Sequence, residues 1–187
     1  MSPELAPDLE DDAVLVRLAR DGSARAIDAL VRRHHAAVFR LCLGVLGDED
    51  GAADATQETF VKAVRGLARF RGDAAFRTWL LSIALNEARG ALRRDRRRRE
   101  TGIDGVGPLA DRDDPAGRAA LRDAARRVRE RVAELPEKQR LAVTLRIDEG
   151  LSFREIGEII GSSEGAARVN YHHGIRRLRE QLEESDE

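Results

Sequence analysis

Apolar side chains recur at helical steps along both ends of this chain, and between them lies a stretch where the rhythm stops. From Asp95 to Gly117 the sequence holds Gly102, Gly105, Gly107, Pro108, Pro115 and Gly117, together with Asp104, Asp111, Asp113 and Asp114. Such a stretch cannot bury enough apolar area to offset the entropy of ordering it. It predicts a flexible linker over 95–117 and two small domains, 12–94 and 118–183, behind a disordered N-terminus over 1–11. In a chain of 187 residues each domain lies near the lower size limit for stability on its own.

No convincing strand alternation is present, so the expected fold class is all-α. Val14, Leu15 and Leu18 start a short helix that Asp11 and Asp12 can cap. Asp21-Gly22-Ser23 breaks it. Ile27, Leu30, Val31, His34, Val38, Leu41, Cys42 and Val45 form the stripe of a second, amphipathic helix, which Gly47-Asp48 closes. A third helix is expected over about 52–67 with Ala53, Phe60, Val64 and Leu67 inward. A fourth is expected over about 74–94 through Phe76, Trp79, Leu80, Ile83 and Leu92. Four helices on short connections make a compact bundle.

The second half resumes with Leu121, Ala125, Val128, Val132 and Leu135. Pro136 suits a first helical turn, Leu141, Leu145 and Ile147 carry the next helix, and Gly150 ends it. Ser152-Phe153-Arg154-Glu155 reads as a capping box. A helix over 153–160, the turn Gly161-Ser162-Ser163 and a longer helix over about 164–182 follow the grammar of a helix-turn-helix.

Composition narrows the chemistry. A lone Cys42 excludes a disulfide framework and a cysteine-based zinc site. The longest run without a charged residue, Thr78 to Asn86, is nine residues, against the roughly 20 a spanning helix needs. The acidic N-terminus lacks the basic-then-apolar pattern of a secretory signal. An intracellular, cytoplasmic protein without membrane insertion is expected. The net charge of −1 hides an uneven distribution: −2 over residues 1–92, +5 over 93–99 and −4 over 100–187. The cationic knot Arg93-Arg94-Asp95-Arg96-Arg97-Arg98-Arg99 suits a polyanion, although a solvated helix end would look the same. Arg accounts for 31 of the 33 basic residues, and its fork matches phosphates and base edges. No glycine-rich phosphate loop, Ser–His–Asp order or paired-carboxylate cleft appears, so an enzyme is disfavoured and no cofactor is expected.

Three groups of residues carry possible binding chemistry. Asp54, Gln57 and Glu58 share one helical face at i, i+3 and i+4, either as solvated surface or as a docking face. From Phe70 to Leu80, aromatic, arginine and small residues meet at a turn entering a helix, with Asn86 and Arg89 farther along it. Aromatic faces can stack on unpaired bases while arginines hold the backbone, yet residues such as Phe76 and Trp79 are more often core than stacking platforms. In the helix-turn-helix, Ala166, Ala167, Leu178 and Tyr171 can pack inward, leaving Arg168, Val169, His172, His173 and Arg176 outward, where a recognition helix meets the major groove. A helical hairpin with an arginine-rich solvated face is the alternative. Adjacent histidines point about 100° apart and no carboxylate or cysteine completes a ligand set, so no metal is expected.

The ordered series carries a resemblance. Asp54 with Thr56-Gln57-Glu58-Thr59-Phe60-Val61-Lys62-Ala63 comes first. Phe70-Arg71-Gly72-Asp73, Phe76-Arg77-Thr78-Trp79-Leu80, Ile83-Ala84 and Asn86 follow. Next are Leu135-Pro136-Glu137, Gln139-Arg140, Glu149-Gly150-Leu151-Ser152-Phe153, Glu155-Ile156 and Ile159-Ile160-Gly161-Ser162-Ser163-Glu164-Gly165. In order and spacing this resembles the extracytoplasmic-function, or group IV, sigma factors of bacterial RNA polymerase. The match spans about 12–92 and 121–182, the family's regions 2 and 4, without its regions 1.1 and 3.

The resemblance implies a specificity subunit of RNA polymerase, not an enzyme. Asp54, Gln57 and Glu58 match positions facing the β′ clamp, and region 4 implies a contact with the β flap. Phe70, Arg71, Asp73, Phe76, Arg77, Trp79, Asn86, Arg89 and Arg93 match segments that melt the −10 element and capture non-template bases, where stacking and edge hydrogen bonds offset the cost of unstacking. Ser163, Arg168, Val169, His172, His173 and Arg176 match the region facing the −35 duplex. Here the chain departs from the commoner pattern, since Asn170 and His173 stand at positions usually basic. Histidine gains charge below neutrality, so −35 affinity is expected to weaken as pH rises from about 6 to about 8, with His172→Gln as the control. The resemblance also implies an anti-sigma factor as partner and a linker whose Asp104, Asp111, Asp113 and Asp114 mimic nucleic acid in the polymerase channel. Two other readings remain: a helix-turn-helix regulator that is not a polymerase subunit, and a helical scaffold that docks through Asp54, Gln57 and Glu58.

Overall fold

The structure, a computed structural model, describes residues 11–100 and 130–183. Within them lie α1 (Asp12–Arg20), α2 (Ala24–Leu46), α3 (Glu49–Gly66), a 3-10 turn (Leu67–Arg69), α4 (Phe76–Glu100), α5 (Glu137–Ile147), α6 (Phe153–Ile160) and α7 (Glu164–Glu183). Residues 130–134 are helical too, and no strand occurs among the described residues. The chain divides into two compact units between Arg93 and Arg94. The expected disorder of 1–10, most of the expected linker with its four aspartates, and the helix expected to start at Leu121 lie outside the described residues or largely so.

In the first unit α1 packs on α2, and α2 on α3. Leu15, Val38, Leu41, Cys42, Leu80, Leu81 and Leu85 are buried almost completely, which makes the centre of the bundle aliphatic. Burial pushes the Cys42 thiol up to about 11, so it stays protonated and serves packing. Ser23 caps α2 by accepting from the Ala26 amide at 3.3 Å, and Asp48 caps α3 by accepting from the Gly51 amide at 2.6 Å. Arg20 Nε donates to the Leu67 carbonyl at 2.9 Å, tying the end of α1 to the 3-10 turn.

Three expectations for this unit need correction. Asp11 occupies the N-cap of α1 but makes no side-chain cap bond, and Asp12 reaches across to α2 instead. The inward face of α3 is Ala52, Ala55, Thr56, Thr59 and Ala63, whereas Ala53 is exposed and Val64 is 42% exposed. Small side chains let α3 lie close to α2, so the larger Phe60 and Val64 sit at the rim of a hollow of about 20 Å³. Finally, α4 does not stop at Arg94 but runs through the arginine knot to Glu100. Arginine is a strong helix former, and cations at a helix C-terminus oppose its negative dipole end, so the loss of apolar rhythm did not mark the end of the helix.

In the second unit α5 packs on α7, and α6 on both. Leu141, Leu145 and Ile156 form the buried centre, with Val143, Ile159, Ile160 and Ala167 around them. Ile147, expected inward, is 60% exposed, because α5 ends there and the chain turns away through Gly150 at φ 65°. Pro136 stands one residue before the first helical turn, at the N-cap of α5. The capping box is complete: Ser152 Oγ accepts from the Glu155 amide at 3.3 Å, and Glu155 Oε2 accepts from the Ser152 amide at 2.8 Å.

Candidate nucleic-acid interfaces

The Phe70–Trp79 segment folds into a small aromatic cluster. Phe70 and Trp79 have ring centroids 4.9 Å apart, Phe70 meets Phe76 edge-on at 5.9 Å, and Phe76 lies 5.7 Å from Trp79. Phe70 and Trp79 are half-buried, while Phe76 is only 7% exposed. Of the three rings, Phe76 is the one packed inward, and the other two rest on it. Trp79 also lies over Gly66, where an added Cβ would come within 3.3 Å of the indole. Gly72 turns the chain at φ 81°, and beside it Arg71 pairs with Asp73 at 2.9 Å with both side chains largely exposed.

Helical geometry places the remaining residues. Steps of seven along α4 fall about 20° short of two turns, so Trp79, Asn86 and Arg93 line one stripe roughly 10 Å apart. Asn86 and Arg93 are exposed, and Arg77 and Arg89 are half-buried flanking side chains. On α3, Asp54, Gln57 and Glu58 are all exposed opposite the buried Ala and Thr face, forming an acidic and amide surface on a packed helix.

Sequence reasoning missed a buried polar group behind this cluster. Asp12 Oδ2 accepts from His34 Nε2 at 2.8 Å, and its other oxygen accepts from Arg33 at 2.8 Å. A carboxylate has no proton to give, so Nε2 carries the hydrogen. Burial alone would raise the Asp12 pKa, but the bonds and charges of His34 and Arg33 outweigh it and hold the carboxyl below its usual range. The His34 ring is buried and lies 5.5 Å from Phe76, tilted by 58°. The signal was present as a histidine within the apolar stripe of α2, but its partner sits 22 residues away.

In the second unit two glycines make the helix-turn-helix possible. A Cβ on Gly157 would lie 2.8 Å from the Ser162 carbonyl oxygen, and one on Gly174 would lie 2.7 Å from Val143 Cγ2. The first lets the turn fold back onto α6, and the second lets α7 cross close to α5. Ser163 Oγ accepts from the Ala166 amide at 3.1 Å and so caps α7, leaving its hydroxyl hydrogen as a donor.

The outward face of α7 is as expected in position and more ordered than expected in detail. Arg168, Val169, His172, His173 and Arg176 are all exposed, with Val169 at 53%. Arg168 pairs with Glu164 at 2.9 Å and its guanidinium lies 5.2 Å from the Phe153 ring centre, with Arg146 at 5.1 Å from the same ring. Tyr171 and His172 also approach Phe153, at 5.5 and 6.3 Å. Phe153 was read only as part of a cap. Asn170, one of the two departures noted above, folds back to donate to the Ala166 carbonyl at 2.8 Å, so it is partly withdrawn from that face.

Among the described residues no group of three or more His, Cys, Asp or Glu side chains is placed to hold a metal ion, and no helix is long and apolar enough to cross a membrane.

Comparison with known proteins agrees with this architecture. Residues 30–98 match the family Sigma-70 region 2, and residues 125–178 match Sigma-70, region 4. The chain is 36% identical over 186 residues to the RNA polymerase sigma-H factor of Pseudomonas aeruginosa, covering 94% of each chain. It is 34% identical over 188 residues to the ECF RNA polymerase sigma-E factor of Haemophilus influenzae, covering 96% of each. Among solved structures it resembles CnrH in complex with the cytosolic domain of CnrY, with a TM-score of 0.72 and 26% identity over 92% of this chain and 97% of that one. Two helical units of this build, matched along nearly their whole length by such relatives, place the chain in the extracytoplasmic-function sigma factors of bacterial RNA polymerase.

Proposed function

We propose that this sigma factor binds core RNA polymerase in the cytoplasm, holds the −35 duplex with its second unit, and opens and captures the −10 element with its first. It does no catalysis itself. Asp54, Gln57 and Glu58 supply an acidic docking surface for the β′ clamp, and the second unit also meets the β flap. Phe70 and Trp79 stack on unpaired bases, Asn86 offers an amide to a base edge, and Arg71, Arg77, Arg89 and Arg93 hold phosphates. Asp73 orients Arg71 through their ion pair. Arg168, Val169, His172, His173 and Arg176 face the −35 major groove, and Ser163 turns its hydroxyl hydrogen to a phosphate.

The observation that carries this reading is the pair of half-exposed rings, Phe70 and Trp79, on a buried floor and in line with exposed Asn86. A protein partner that holds the chain inactive, an anti-sigma factor, belongs to the same reading, and CnrH, a neighbour in fold, was solved in complex with the cytosolic domain of another protein, CnrY. Run-off transcription with core enzyme over a randomised promoter library tests the reading. Specific transcripts whose templates share two spaced elements are the expected result. Specific DNA binding without polymerase-dependent initiation would favour a free-standing regulator instead.

A further inference from the structure

The Asp12–His34 pair, its imidazole buried and its carboxylate partly solvated, has no part in recognition as described so far, yet it stands behind the rings that do. Asp12 opens α1, and His34 lies in the middle of α2. Their 2.8 Å bond fixes the imidazole about Nε2, and Arg33 holds the second carboxylate oxygen, so the acid is gripped at both oxygens. The far side of the imidazole lies against Phe76, 5.5 Å centre to centre. Phe76 in turn touches both Phe70 and Trp79. A continuous chain of contacts thus runs from the start of α1 to the half-exposed rings. A tilted ring contact transmits orientation because each ring has few alternative rotamers once its neighbours are packed.

We propose that Asp12 and His34 are positioning residues for strand capture: the hydrogen bond sets the imidazole, the imidazole sets Phe76, and Phe76 holds Phe70 and Trp79 apart from the aliphatic core and open to bases. This rests on the reading that Phe70 and Trp79 meet unpaired DNA. Neither Asp12 nor His34 touches DNA. Their effect is to have the platform formed before the duplex opens, so that the ordering cost is not met at the moment of strand separation. Removing the pair then weakens opening while the −35 contact and polymerase binding stay as they were.

Trp79 is the one tryptophan of the chain, so its fluorescence reports on the platform without any label. The experiment uses the full-length chain, alone and in holoenzyme, with Asp12→Ala, Asp12→Asn, His34→Asn, His34→Phe and the control Leu15→Val. The control trims a buried α1 side chain, and comparison is made at temperatures where the variants have equal folded fractions. Acrylamide quenching of Trp79 is expected to fall in Asp12→Ala and His34→Asn, as the ring settles toward the core, and to stay at the wild-type value in Leu15→Val. Open-complex formation on duplex promoter is expected to fall roughly tenfold in the first two, the scale of one lost charge-assisted hydrogen bond. Binding to a promoter already open at the −10 element is expected to fall less. His34→Phe, which keeps a ring against Phe76, restores part of the loss, and Asp12→Asn replaces Asp12→Ala should the latter not fold. Equal quenching and equal opening in all variants and the control would overturn the proposal. Failure of the wild-type holoenzyme to open any promoter would instead overturn the reading on which it rests.

Discussion

The two units solve the same problem in opposite ways. In the first, the side chains proposed to meet DNA are continuous with the core: Phe76 is buried, Phe70 and Trp79 rest on it, and His34 lies against it. In the second, the reading face of α7 stands apart from the core, which meets α7 through Ala167 and Gly174 on its other side. The difference follows from the DNA each is to meet. Unpaired bases need apolar ring faces, and apolar rings are stable in water only when backed by other apolar groups. A duplex groove is read by polar and small side chains that can stand in solvent until it arrives.

This contrast breaks first at Phe76. Truncating a buried aromatic ring costs about 3–5 kcal/mol, so Phe76→Ala should lower the unfolding free energy of the first unit by that amount and abolish promoter opening with it. Denaturant unfolding beside permanganate footprinting of the −10 element checks both. Opening retained in a destabilised protein would mean that the rings do not depend on their floor. In the second unit the corresponding weak point is a backbone approach. Gly157→Ala puts a Cβ against the Ser162 carbonyl, where backbone must shift, and should cost about 1–3 kcal/mol. Its effect on −35 binding should track the folded fraction alone, as gel-shift titrations at several temperatures would reveal.

The contrast also explains what could be read from the sequence. Elements were legible where period and punctuation agree, as in α2 with its Ser23 cap and Gly47 stop, or α6 between Ser152 and Gly161. The outward positions of Asp54, Gln57, Glu58 and Arg168 followed from helical spacing, because exposure depends on the local face. Burial of small residues did not. The inward face of α3 is alanine and threonine, which carry no marked apolar period, so the expected inward positions Ala53 and Val64 fall on its exposed side. The end of α4 is not legible because its last turns are arginine, which gives no apolar rhythm while favouring helix. Asp12–His34 and the arginines on Phe153 join residues from different helices, and no local pattern announces such pairings.

A smaller effect on stability sharpens the other side of the comparison. Arg168→Ala removes an exposed ion pair with Glu164 and a guanidinium over Phe153, so stability should change by no more than about 0.5 kcal/mol. Affinity for −35 duplex should nevertheless fall by about 1–3 kcal/mol if the arginine reads a base. Comparing sequences with single −35 changes separates that case from a phosphate contact, which would weaken all of them alike. A loss of stability as large as the loss of affinity would show that this face, too, is joined to its core.

The smallest effect lies in the pH dependence of the first unit. The folded-state pKa of Asp12 is lowered, so in the unfolded chain this carboxyl binds its proton more readily than in the folded one. The pair therefore contributes stability that is fully present above the unfolded value, about 4, and is lost as pH falls through the lower folded value. Because the carboxylate remains partly solvated, the contribution should be no more than about 1 kcal/mol. Asp12→Asn should accordingly match the pH dependence of the wild type from neutrality down to about pH 5 and be flatter below it, in urea titrations read through Trp79. Asp12 and His34 both lie in the first compact unit, so the acid transition of the second should be unmoved by the substitution. An unchanged slope in Asp12→Asn would mean that the anchor of α1 is the 3-10 contact of Arg20 and the apolar face of α1, and the acid on which the ring cluster leans would carry no charge-dependent stability at all.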